Sequence, residues 1–280
     1  MRRVTIKSIP SVAKARVAVS AESSALPRSN TPDALLLKSV KSISEFVEAA
    51  MSFRSDSGPL WFRGHSQDRH KLVPSLYRNA DGKVESELRK IEEHLNRRFR
   101  DRSMPHGRDE TSDSNALQSW WRMFTMQHYG TPTRLLDWSE NAMTALCFSL
   151  FGAAKEPSEH AVVWLLHPQT WNNIGNSNHT HALSVDEHGA GPYSPLPSTN
   201  QHVPASWPLA IYGMHNSPRI VRQQGTFVIF APANTTSMEA HALERGESAK
   251  NALMAIQIDK EAIPDMVKQL HRLGFAHSSL

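Results

Sequence analysis

Between Met126 and Phe148 the chain reads M-Q-H-Y-G-T-P-T-R-L-L-D-W-S-E-N-A-M-T-A-L-C-F, and it gathers side chains that can titrate or hold a charge. Gln127, His128, Thr131, Thr133, Arg134 and Asp137 stand among Gly130, Pro132 and a following apolar segment. Arg134 and Asp137 would each be costly to bury alone. They either pair with each other and the nearby backbone as a clamp, or face a polar cleft. A second group lies upstream in Leu60 to Gly64, L-W-F-R-G, followed by His65 and Ser66. At the end of a strand, the Arg63 guanidinium could offer its fork of donors to a phosphate, a carboxylate or a carbonyl. Its alternative is an internal ion pair with Asp137 or Glu140.

The elements that must position these groups can be read from periodicity and turn chemistry. Leu117, Trp120, Trp121, Phe124 and His128 recur at three- and four-residue steps, which predicts a helix that Gly130 stops as a left-handed cap. Thr131-Pro132 predicts an extended turn, because the residue before proline is driven out of the helical region. Ser139 is then expected to cap a second helix with Ala142, Ala145, Leu146 and Phe148 as its buried stripe. Arg134 and Asp137 would thus sit on a short, stiff connection between two helices. Trp121, Phe124, Leu146 and Phe148 are the expected core of this region.

The chain has 280 residues, of which 39% are apolar and 21% charged, with a formal net charge of +4. That is the composition of a soluble globular protein, and the charge permits phosphate contacts without demanding nucleic acid. The single cysteine, Cys147, falls in the apolar stripe and reads as a small buried hydrophobe. A disulfide framework is excluded and the reducing cytoplasm is the natural compartment. The longest apolar run, Ala161 to Leu166, is far too short to cross a membrane.

Residues 1–39 form a basic, acid-poor segment with Arg2, Arg3, Lys7, Lys14, Arg16 and Arg28, expected to be partly disordered or to hold a strand start at Val4 to Ile6. Ser42 with Glu45 makes a capping box for a helix with Ile43, Phe46, Val47 and Ala50 on one face. Gly64, directly after Arg63, suggests a close backbone approach at the end of the Leu60 to Ser66 strand. Val84, Leu88, Ile91, Leu95 and Phe99 mark a helix over 84–100 whose mixed charges read as a solvated face. Residues 101–114 read as a mobile loop. Ala161 to Leu166 is a buried strand, and 168–208 is a long irregular insertion. His179-Thr180-His181 and His188 in it have no cysteine partner and no glutamate at helical spacing, so no metal site is expected. Two short strands flank Gln223-Gln224-Gly225, Leu253 to Ile258 is another strand, and Pro264 starts a last helix that Gly274 ends. Helices early and strands late predict a single α+β domain over 40–280, with a mixed, mostly antiparallel sheet.

W-F-R-G-H-S, the L-x-P-S-L-Y-R segment from Leu72 to Arg78, and Q-H-Y-G-T-P-T-R-L-L-D-W together resemble the FRG domain, a bacterial family named for its Phe-Arg-Gly. Pro218-Arg219-Ile220, Gln224-Gly225-Thr226-Phe227 and the stretch from Leu270 to Phe275 are similar to later pieces of that family. The resemblance covers roughly 40–280 and brings no established reaction. The family pattern runs past Gly-Phe into an acidic segment, whereas this chain stops at Leu280. Either that piece is dispensable or this copy lacks part of its site.

Two function classes follow. The order of parts is similar to the ADP-ribosyltransferase pattern: an aromatic-Arg-Gly strand end, a Ser/Thr-bearing segment leading into a helix, and a late strand with a third polar group. That resemblance implies NAD as substrate, an ADP-ribosyltransferase-like fold, and Arg63, His128, Arg134 and Asp137 as the catalytic set. Gln223 and Gln224 stand where the family wants a glutamate, and glutamine cannot ionise to act as a base. The second class is a non-catalytic module for a nucleotide, an RNA end or another small anion. In either class Phe62, Gly64, His65, Gln127, Tyr129, Thr133 and Gln224 are the expected ligand-binding residues, since aromatic rings beside arginines suit stacking and phosphate contacts together.

Overall fold

Short, largely apolar runs build one sheet, most of them buried on both faces. In the computed structural model, which describes residues 31–53, 58–78, 83–103, 116–154, 158–175, 181–185, 188–195, 206–213 and 223–276, its strands are β1 (Leu36–Val40), β2 (Trp61–His65), β3 (Leu135–Ser139), β4 (Ala161–Leu166), β5 (Leu183–Ser184), β6 (Leu209–Tyr212), β7 (Gly225–Ile229) and β8 (Leu253–Ile258). Their order is β1-β8-β4-β2-β3-β7-β6-β5. The outermost pairs, β1 with β8 and β5 with β6, are parallel, and every pair between them is antiparallel. The fold is a single α+β domain with a mixed, mostly antiparallel sheet. β1 lies inside the segment expected to be partly disordered, so the sheet begins before residue 40; residues 1–30 lie outside the described residues. So do the loop over 104–114, His179-Thr180 and the strand expected before Gln223.

The helices are α1 (Ile43–Ser52), α2 (Glu85–Ser103), α3 (Ala116–His128), α4 (Ala142–Ala153), α5 (Pro168–Gly175), α6 (Met238–Arg245), α7 (Glu247–Lys250) and α8 (Ile263–Arg272). Ser42 caps α1 by accepting from the Glu45 amide, while the Glu45 carboxylate accepts from the Lys41 amide. Both predicted glycine stops hold. At φ +74 and +87, Gly130 and Gly274 close α3 and α8 with paired amide-to-carbonyl bonds, Thr131 to Met126 and Gly130 to Gln127, and Phe275 to Leu270 and Gly274 to His271. Among the described residues, no helix is long and apolar enough to cross a membrane.

Strand alternation sends side chains to two cores. Trp61, Leu136, Trp138, Val228 and Phe230 meet Trp171 of α5, Met238 and Ala242 of α6, and Leu72 and Tyr77. On the other face, Phe62, Val163 and Ile256 pack on α4 and α8, while Leu135, Phe227 and Ile229 pack on Trp120 and Phe124 of α3. The stretch expected as an irregular insertion is in part packed structure: α5 places Trp171 in the core, where its ring meets that of Trp207 at 4.5 Å.

Candidate functional site

The two central strands part company. β2 pairs with β4 along its whole length, from Trp61 to His65, but meets β3 only at Phe62 opposite Ser139. Continuing the ladder would set Arg63, Gly64 and His65 against Trp138, Asp137 and Leu136. Instead the Arg63 side chain spans the opening, its Nη1 donating to the Asp137 carbonyl at 2.5 Å. Gly64 lets α4 close down beside the split: a Cβ there would lie 2.0 Å from the Ala145 carbonyl oxygen and 2.8 Å from the Ser149 amide nitrogen. The expected close backbone approach after Arg63 is therefore between β2 and α4.

His65 holds the arginine. Its Nε2 accepts from Arg63 Nε at 3.1 Å, which leaves Nδ1 to carry the proton and donate to the His70 carbonyl at 3.0 Å. Burial, then the neighbouring Arg63 and His70, hold the His65 imidazole well below its ordinary pKa, so it is neutral and that tautomer persists. Burial also lowers the Arg63 guanidinium to about 10, with Asp137 opposing the shift and Arg78 adding to it, and it remains charged at neutral pH. With Nε on His65 and Nη1 on Asp137, Nη2 carries no hydrogen bond among the described residues.

A cavity of about 990 Å3 opens at the split. From β2 and the chain after it come Arg63, Arg69, His70, Lys71, Arg78 and Lys83; from α3 come Phe124, Gln127 and His128; from α4 come Ala145 and Phe148. Asp137 is the only carboxylate among the described lining residues, and its Oδ2 accepts from Gln127 Nε2 at 2.8 Å. Burial, followed by Arg69 and Arg78, lowers the pKa of His70. Desolvation disfavours the charged imidazole first, and the like charges of Arg69 and Arg78 add to it against the opposing pull of Glu159.

The structure brings Phe62, Arg63, Gly64, His65, Gln127, His128 and Asp137 to this cavity and leaves the other expected residues off it. Arg134 is a correction. The predicted connection is strand β3, where residues three apart point to opposite faces, so Arg134 cannot share a side with Asp137. Its buried guanidinium instead donates to Glu92 Oε1 of α2 at 2.6 Å, to the Phe230 carbonyl at 2.6 Å and to the Tyr193 carbonyl at 3.0 Å. It is a clamp, with Glu92 as partner. Thr133 is buried beside it and bonds Gln127, Ser75 and the Leu135 amide. Tyr129 is 72% exposed past the end of α3, and Gln224 is an exposed turn residue at φ +47; Gln223 lines the cavity in its place. Ser139 does not cap α4; Asn141 does, accepting from the Thr144 amide.

Two further expectations change. Phe148, expected in the core, is 40% exposed and lines the cavity, and Trp121 is only half-buried. The basic residues after β2 were missed although the signal was present. From Arg63 to Lys83 the chain carries Arg63, Arg69, Lys71, Arg78, Lys83, His65 and His70 against Asp68 and Asp81.

No curated protein and no solved structure matches the chain. The model of the FRG domain matches residues 58–158, a shorter span than the motif resemblance, and it takes in β2, α2, α3, β3 and α4 with their share of the cavity wall. The chain carries an FRG domain across that span, and the Phe62-Arg63-Gly64 of its name lies at the split in the sheet.

Proposed function

We propose that the cavity at the β2/β3 split binds a small anionic, nucleotide-like ligand in a reducing, cytoplasmic setting. The observation that carries this is the charge of the wall: Arg63, Arg69, Lys71, Arg78 and Lys83 line it with Asp137 as the single carboxylate among the described lining residues. Arg69 is partly neutralised by Glu159, at 2.5 Å. Arg63 and Arg78 repel each other until an anion arrives, and Arg63 is held ready with Nη2 to give. Burial pushes the Cys147 thiol up to about 11, which leaves it an unreactive packing residue and not a candidate nucleophile. Titration with pyrophosphate and ADP at two salt concentrations tests the reading. Binding that weakens with salt, and weakens further in Arg63→Gln at unchanged melting temperature, supports it. If neither probe binds at millimolar concentration, the reading fails.

Asp137 favours one enzymatic form of this reading, transfer of ADP-ribose from NAD. A carboxylate beside the anion site could stabilise positive charge developing on the ribose as the bond to nicotinamide breaks. Nicotinamide leaves with the bonding pair, and an acceptor nucleophile supplies a new pair to the same carbon and loses its proton. Release of labelled nicotinamide from NAD, abolished in Asp137→Asn, is the expected result. NAD binding without release selects the non-catalytic nucleotide or RNA-end module instead.

A further inference from the structure

Helix α4 is apolar around its whole circumference, and from Thr144 to Phe151 every residue is buried except one. The exception is Phe148, a residue 40% exposed that lines the cavity. A single exposed apolar side chain needs no explanation by itself, and Met51, Val84 and Leu273 are more exposed than Phe148; what distinguishes Phe148 is that it lines the cavity. The basic side chains reach the cavity from β2 and the segment after it, while Phe148 reaches it from α4 beside Ala145, and Phe124 and Phe227, with centroids 4.9 Å apart, add a second apolar lining. The cavity therefore combines cationic and aromatic lining residues supplied by different elements, with room for a single small ligand.

Resting on the reading of this cavity as an anion site, we propose that Phe148 is the platform on which the base of a nucleoside diphosphate stacks, with its phosphates on Arg63 and the cationic wall. The ligand class is a free nucleotide in which a planar heteroaromatic ring is joined to a diphosphate. Stacking is indifferent to base identity, so Phe148 supplies affinity for a base without selecting which one.

The test compares ADP with inorganic pyrophosphate by calorimetric titration, on the wild type and on Phe148→Ala, Phe148→Leu and Phe148→Tyr. ADP should bind at least about tenfold more tightly than pyrophosphate to the wild type and to Phe148→Tyr. Phe148→Ala should lose that advantage with pyrophosphate affinity unchanged, and Phe148→Leu, which keeps apolar volume but not the ring, should behave like Phe148→Ala. Because the side chain is partly exposed, all three variants should fold, and their melting curves check this. If pyrophosphate binds but the ADP advantage survives in Phe148→Ala, the platform is refuted while the anion site stands. If neither probe binds the wild type, both readings fall together.

Discussion

Arg134→Lys separates a structural arginine from a ligand-holding one. In the folded protein the guanidinium serves three acceptors that point in different directions: Glu92 Oε1, the Phe230 carbonyl and the Tyr193 carbonyl. A lysine ammonium is a compact point charge on a flexible stem and cannot span all three. The Phe230 and Tyr193 residues are buried, so an acceptor left unpaired there costs about 1–3 kcal/mol. Glu92, at 16% side-chain exposure, keeps some access to water and softens its own loss. Together these suggest a destabilisation of about 2–4 kcal/mol, a large part of a stability of about 5–15 kcal/mol. In a thermal melt this corresponds to a drop of roughly 5–10 °C. ADP affinity, measured well below the midpoint on the same preparation, should be nearly unchanged, because Arg134 is not on the cavity. A variant that melts like the wild type while losing ligand would refute the clamp and return Arg134 to the site.

Other expectations follow from the same geometry. Gly64→Ala should cost about 1–3 kcal/mol or more, seen as a lowered denaturant midpoint, since the new methyl meets backbone atoms of α4. Phe148→Ala, by contrast, should cost less than about 1.5 kcal/mol by the same measurement, because its ring is already partly in water. His65→Leu should weaken pyrophosphate binding several-fold, whereas His65→Gln, which can still accept from Arg63 and donate to the His70 carbonyl, should restore much of it. Stability against pH should be full above about pH 6.5 and decline below it. The unfolded chain takes up a proton there that buried His65 refuses, with His70 and His241 acting in the same sense. His65→Gln should flatten that slope without abolishing it.

Elements with local signals were readable from sequence. Gly130 and Gly274 end their helices through positive φ, Ser42 caps α1 through its own hydroxyl, and Ala161 to Leu166 is apolar at every position because both faces of β4 are covered. Strand β3 was misread because Thr131-Pro132 just before it marks a turn and its five residues include a charge at Asp137. Its pairing with β7 along all five residues makes it a strand, and that pairing spans roughly ninety residues of sequence. The exchange of turn for strand then misplaced Arg134, since a turn can bring residues three apart together and a strand cannot. Phe148 and Glu92 were misjudged for a related reason. Apolar periodicity reports which residues want burial, and charge pattern reports which want water; neither reports a cavity beside α4 or a buried arginine waiting for α2. Arg63 and Gly64 were legible as a strand end with a close approach, but that the sheet divides there is a tertiary fact.

The central claim is that the opening between β2 and β3 is an anion site with Arg63 at its base. A crystal structure determined at saturating ADP tests it most directly. The claim predicts a phosphate oxygen within about 3 Å of Arg63 Nη2, with the Nε bond to His65 and the Nη1 bond to the Asp137 carbonyl both kept. An empty cleft under conditions where titration shows saturation, or ADP bound elsewhere on the protein, would contradict it.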